Sequence, residues 1–190
     1  MVRLAVVVKT EHSGVRRRVF AVALAFVSLD FVTKQLVVTQ FEGQPPMRVV
    51  GDILRLWVGR NPGAAFSMGA NGSTVLFTII ASAAVIGIGV CAPRMVMSIA
   101  SPTMPWAVSL LMAGAAGNLL DRLLRAPGFG RGHVVDFIEL PHFPIFNVSD
   151  MCITASVVLY LLASMSATRA QKRSQQGSAS LPDISSERPQ

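Results

Sequence analysis

Four apolar runs divide the chain. Residues 19–38 give 20 positions dominated by Val, Ala, Leu and Phe, and a helix needs about 20 such residues to cross a bilayer. Residues 73–92 carry no charge. Residues 106–124 are apolar until their last two turns. Residues 148–167 carry Asp150 as their only charge. Each run predicts a transmembrane helix, at about 19–38, 73–92, 106–124 and 148–167. Residues 2–8 are apolar but too short to span.

The connectors follow other patterns. In 41–69, Gln44, Pro45 and Pro46 stop any helix. Leu54, Leu56 and Val58 then alternate with Arg55 and Trp57, which predicts short strands at the membrane interface with Trp57 as an anchor. Pro62 and Gly63 predict a tight turn, and Ala64 and Ala65 would allow close approach of another chain. Residues 125–131 read as a loop. In 133–146, outside the membrane, Pro141 and Pro144 prevent a long helix. From 169 to 190 the chain is rich in Ser, Gln and basic residues, so 168–190 is expected to be a disordered tail.

Composition supports the membrane reading. Charged residues make up 14% of the 190 residues, against about 25% in soluble domains, and mean hydropathy is +0.53. The net charge of +7 does not point to nucleic acid, because the charges sit at the chain ends and between apolar runs and there is one Tyr for stacking. Arg16, Arg17 and Arg18 before an apolar run also fit a secretory leader. Asp30 interrupts that run, however, no small-x-small cleavage site is present, and apolar character resumes to Val38. Cys91 and Cys152 fall at opposite faces under this topology, too far apart to pair.

The basic residues set an orientation. Ten of the 17 lie in the N-terminal segment 1–18, at Arg94, or in the C-terminal tail 168–190. Those flanking helices closely count most, so both termini are expected in the cytoplasm, with connectors 40–72 and 125–147 facing outward. Asp30 and Lys34, four apart and able to pair, then fall in the outer half of the first helix. Asn118, Asp121 and Arg122 share a face at the outer end of the third, where Ala113, Gly114, Ala115, Ala116 and Gly117 allow close helix packing. Asn147 and Asp150 stand at the outer start of the fourth, and Asn61 and Asp136 in the outer connectors. The predicted fold class is an all-α membrane protein with four transmembrane helices, a small extracytoplasmic β-cradle and an interfacial outer loop or helix. Its polar groups converge on one face, as an active site open to the bilayer would require.

Chemistry narrows to carboxylates. No Ser or Cys stands near a His in a nucleophilic arrangement, and Gly-x-Ser-x-Gly is absent. His133 and His142 could join Asp136 around a metal, but no HExxH or CxxC spacing supports it, so no metal and no cofactor is expected. Asp136 and Asp150 remain. Two aspartates close together do not both ionise easily. The charged one can take a proton from water while the neutral one polarises a peptide carbonyl. The simpler reading of Asp150 is a helix cap; capping explains Asp136 poorly.

The motifs Asp30-x-x-x-Lys34, Asn61-x-Gly63-Ala64-Ala65-Phe66, Gly117-Asn118-Leu119-x-Asp121-Arg122, Val134-Val135-Asp136-Phe137 and Phe146-Asn147-x-x-Asp150 occur in this order. Together the chain resembles a lipoprotein signal peptidase (signal peptidase II) over roughly residues 20 to 165. The resemblance implies an aspartic endopeptidase of the bacterial cytoplasmic membrane that cleaves prolipoproteins before a cysteine already carrying a diacylglyceryl group. It implies Asp136 and Asp150 as catalytic dyad, and Asn61 and Arg122 as holders of the substrate backbone. Asp30, Lys34, Gly63, Asn118, Asp121 and Asn147 would be supporting positions. Partners would be diacylglyceryl-modified prolipoproteins and membrane lipids, and the protein is expected to act as a monomer. The chain departs from the family pattern in a longer link from Asp121 to Asp136, a shorter one from Asp136 to Asp150, and Ser149 where Ala is usual. The rival reading is a small transporter or proton conductor. That would place charges near the midplane, whereas 79–90 and 157–162 are uncharged.

Overall fold

The computed structural model describes residues 2–63 and 72–179, with side chains over 13–63 and 74–172. The elements are α1 (Val2–Phe41), β1 (Met47–Val50), β2 (Leu54–Asn61), α2 (Gly72–Met97), α3 (Met104–Leu124), β3 (Val134–Glu139) and α4 (Val148–Ala179). Ala64, Ala65 and Phe66, expected to permit close approach, lie outside the described residues.

Four helices are long and apolar enough to cross a membrane, at Ser13–Phe41, Thr74–Met97, Met104–Leu124 and Val148–Lys172. They coincide with the four apolar runs, and each extends beyond at least one of the expected limits. α1 runs on in both directions because no proline interrupts residues 2–41, and a nucleated helix propagates at little cost. α2 passes through Pro93 to Met97 and does not stop there, although a proline inside a helix removes the hydrogen bond to the carbonyl four residues back. The tail expectation needs correction. Residues 168–179 are not disordered but continue α4, since Ala, Gln, Lys and Arg are good helix formers that extend an existing helix. Residues 180–190 lie outside the described residues.

α3 is the central element. Half of its span is buried, against 17–22% for the other three, whose outward faces carry Leu24, Ile79, Ile86, Val90 and Leu161. The small residues of α3 make this possible. A Cβ on Gly114 would lie 2.5 Å from both the Ser149 carbonyl oxygen and Ile153 Cγ1, and one on Gly117 would collide with Ser149 Oγ and the Asp30 carboxylate. α3 and α4 therefore touch backbone to backbone at the end where α3 finishes and α4 begins. Cys91 near the far end of α2 and Cys152 in the first turns of α4 are both free.

A three-stranded antiparallel sheet, in the order β1-β2-β3, closes that end of the bundle. The alternation in 54–58 lies in β2 as expected, within a strand that reaches Asn61. β3 was not foreseen. Where an outer loop or helix was expected, 134–139 is a strand, followed by a loop that returns on it: Phe146 N–H donates to the Ile138 carbonyl at 3.0 Å, and the Ile138 N–H to the Phe146 carbonyl at 2.9 Å. The register sets Gly59 opposite Asp136 and Asn61 opposite Val134, so the sheet carries Asn61 to Asp136. The returning loop carries Asn147 to the same place.

Candidate active site

α1 supplies the deepest layer. Lys34 is fully buried, and its ammonium lies 2.8 Å from Asp30 Oδ2 and 2.8 Å from Asp121 Oδ2. It also donates to Asn118 Oδ1 at 3.2 Å. The expected Asp30–Lys34 pair is thus part of a wider junction between α1 and α3. Asp30 Oδ1 accepts the Ser149 N–H at 2.8 Å, tying α1 to the open start of α4, where backbone N–H groups lack helical partners. Asp121 accepts the Val135 N–H at 3.1 Å and the Arg125 Nε–H, fixing β3 against α3.

Above this layer stand the two aspartates and two asparagines. Asn118 Nδ2 donates to Asp150 Oδ1 at 2.9 Å. Because Lys34 occupies Asn118 Oδ1, the amide has one sensible orientation, with its N–H groups toward Asp150. Asn147 and Asp150 form a reciprocal cap: the Asp150 N–H donates to Asn147 Oδ1 at 3.0 Å, and the Asn147 N–H to Asp150 Oδ2 at 3.2 Å. The capping reading of Asp150 is therefore realised, but it uses one carboxylate oxygen only. Asn147 Nδ2 meanwhile donates to Asp136 Oδ1 at 2.6 Å. One asparagine thus touches both aspartates.

Asp136 Oδ2 accepts Asn61 Nδ2 at 3.0 Å. Asn61 is held by its own turn, since Oδ1 accepts the Gly63 N–H at 2.8 Å. Gly63 has φ +103°, and a Cβ there would strike the Phe77 ring, so the turn needs glycine. Thr74 pins the turn to α2 by donating to the Pro62 carbonyl at 2.8 Å. Arg122 is buried, with its guanidinium 5.4 Å from the Phe77 ring centroid. Its Nη1 has no hydrogen-bond partner among the described residues.

All ten residues singled out from the sequence gather at this end of the bundle. Arg125, Thr74, Phe77 and Thr78 were missed. Arg125 reads in the sequence as the first residue of a loop, and Thr78, which donates to the Gly130 carbonyl at 2.8 Å, is a lone hydroxyl in an apolar run. Trp57, expected at the interface, is half-buried in β2. Among the described residues no group of three or more His, Cys, Asp or Glu is placed to hold a metal ion.

Burial is the largest influence on Asp136 and pushes its carboxyl up to about 6. The Asn61 amide opposes this, the charge of Asp150 reinforces it, and Asn147 and Lys34 oppose it. The site also holds four carboxylates (Asp30, Asp121, Asp136, Asp150) against three cations (Lys34, Arg122, Arg125). One added proton makes the cluster neutral, which a poorly hydrated setting favours.

The chain is similar to known proteins over most of its length. The sequence profile of the family described as Signal peptidase (SPase) II matches residues 22–166. The lipoprotein signal peptidase of Streptomyces coelicolor is 42% identical over 159 residues, covering 81% of this chain and 74% of that protein. That of Rhodococcus jostii is 40% identical over 150 residues, covering 79% and 73%. A solved bacterial membrane enzyme superposes with a TM-score of 0.66 at 32% identity, covering 76% of this chain and 90% of its own. With the family profile covering the sheet and most of the bundle, this chain belongs to the signal peptidase II family.

Proposed function

We propose that this protein is an aspartic endopeptidase that removes the signal peptide from diacylglyceryl-modified prolipoproteins, cutting before the lipidated cysteine with Asp136 and Asp150 as its dyad. Family membership supports a multi-pass bacterial membrane peptidase that processes prolipoprotein signal peptides. The observation that carries the finer reading is Asn147, whose side chain bonds Asp136 and whose cap bonds Asp150.

In this reading Asp136, with its carboxyl raised to about 6, holds the shared proton. It donates a hydrogen bond to the scissile carbonyl. Asp150 sits at the start of α4, where negative charge is favoured, and takes a proton from the attacking water. The water's oxygen bonds to the carbonyl carbon to give a tetrahedral species. That species collapses as the C–N bond breaks and the amine leaves with a proton returned from the dyad. Nη1 of Arg122, without a partner among the described residues, is suited to a substrate backbone carbonyl, and Asn61 holds Asp136 while facing the same substrate.

The site lies at the end of the bundle remote from the start of α1 and the end of α4. We place the termini in the cytoplasm and the site at the outer face, where the lipidated substrate enters from the bilayer. The transporter reading finds little support, since the buried charges of the described residues cluster at one end.

The test is cleavage of a diacylglyceryl-modified prolipoprotein by the purified protein in detergent, with product masses measured beside an unmodified substrate. A product beginning at the lipidated cysteine, formed from the modified substrate alone, is expected. Cutting elsewhere, or equal cutting of both substrates, would contradict the reading.

A further inference from the structure

At the end of the bundle opposite the aspartates, a crevice of about 730 Å³ opens between α1 and α2 with Met112 of α3 at its floor. That size falls within the roughly 300–1,000 Å³ of small-ligand sites. α1 contributes Ser13, Arg16, Arg17 and Phe20, at i, i+3, i+4 and i+7 on one helix face. α2 contributes Val85, Ile86, Gly89 and Val90. The mouth is thus cationic and the slot apolar. Gly89 lets Phe20 and Met112 pack closely against α2, since a Cβ there would come within 3.2 Å of Phe20 Cζ and 3.6 Å of Met112 Cε.

Among the described residues no carboxylate lines this crevice, and none of the ion pairs uses Arg16 or Arg17. Two guanidiniums beside an apolar slot open to the membrane match one chemistry: a phosphate headgroup that carries net negative charge, with an acyl chain attached. Arginine suits the headgroup through its planar fork of donors, and basic pockets between membrane helices are known to take anionic lipid headgroups.

We propose that this crevice is a binding site for an anionic phospholipid of the leaflet nearest the chain termini. The lipid phosphate lies between Arg16 and Arg17, and one acyl chain runs along Phe20, Ile86 and Val90. The site is separate from the aspartates and would anchor the inner ends of α1 and α2.

Arg18 is adjacent in sequence but does not line the crevice, which makes it a charge-matched control. Native mass spectrometry of the full chain in detergent, titrated with phosphatidylglycerol, phosphatidylcholine or glycerol 3-phosphate, reads the binding directly. Phosphatidylglycerol is expected to bind at one retained copy, and the other two weakly. Arg17→Gln should weaken it about fivefold, the contribution of one basic residue near an anionic lipid surface, and Arg18→Gln by much less. Ile86→Trp alters an exposed residue and fills the slot, so it should weaken binding with both arginines present. Equal binding of phosphatidylcholine would overturn the proposal by removing the charge requirement. Equal binding of glycerol 3-phosphate would reduce the site to a free-phosphate site and overturn it as a lipid site. Equal effects of Arg17→Gln and Arg18→Gln, or no effect of Ile86→Trp, would show diffuse surface charge and also overturn it.

Discussion

The carboxylates and amides of the site are each held by more than one neighbour, and Lys34 shows what that implies. It is fully buried between Asp30 and Asp121. Lys34→Met would leave Asp30 without its counter-charge and Asp121 with Arg125 alone, so we expect a loss of about 3–5 kcal/mol, read as a lower unfolding midpoint in detergent. An unchanged midpoint would contradict this role for Lys34. Asp136 gives a prediction in pH. Its raised pKa keeps it protonated up to about 6, and above that the proposed acid is lost. The kcat/KM should therefore fall above about pH 6, as much as tenfold per unit, with the pair titrating together. A rate flat from pH 4 to 10 would contradict a shared proton. At this scale the sequence was readable because carboxylates beside apolar runs are rare and need a reason. Arg125 was not readable: its partner Asp121 stands one helical turn back, and an arginine before a proline-glycine loop looks like ordinary surface.

The elements meet closely because of small residues. Gly117 admits both Ser149 and Asp30. Ser149 Oγ has no hydrogen-bond partner among the described residues, so its hydroxyl can be removed at little cost. Gly117→Ala should cost about 1–3 kcal/mol by overpacking, and adding Ser149→Ala should recover part of it. A double mutant no better than the sum of its parts would deny the contact. The helices were legible because an apolar run of about 20 residues is long enough to span a bilayer and too long for a buried strand. β3 was not, because Val134, Val135, Asp136 and Phe137 are all buried. A strand covered on both faces loses the two-residue alternation that marks a strand. The end of α4 misled for the opposite reason: a polar run such as 168–179 reads as disorder unless a helix already precedes it.

The molecule as a whole separates two chemistries along the membrane normal. Carboxylates and amides gather at the sheet end with Lys34, Arg122 and Arg125, while Arg16, Arg17, Arg18, Arg94 and Arg169 lie toward the other end, where no carboxylate stands among the residues with described side chains. That polarity predicts orientation. With the native cysteines replaced by alanine, Asp52→Cys, exposed beside the β1–β2 turn, should react with a membrane-impermeant maleimide in intact cells. Arg169→Cys should react only after the membrane is opened. The reverse pattern would put the aspartates on the cytoplasmic side. The convergence itself could be anticipated once four spans and the basic residues were set, whereas the link through Asn147 depends on the return of the 140–147 loop onto β3, which no local pattern announces.

The most direct test of the dyad compares the wild-type protein with Asp136→Asn and Asp150→Asn, each shown to be folded, in single-turnover cleavage of the lipidated prolipoprotein. Both variants should lose at least about 10³-fold in rate, and the double variant little more, as expected for groups that act as a unit. Cleavage by either variant near the wild-type rate would make that aspartate structural and contradict the central claim.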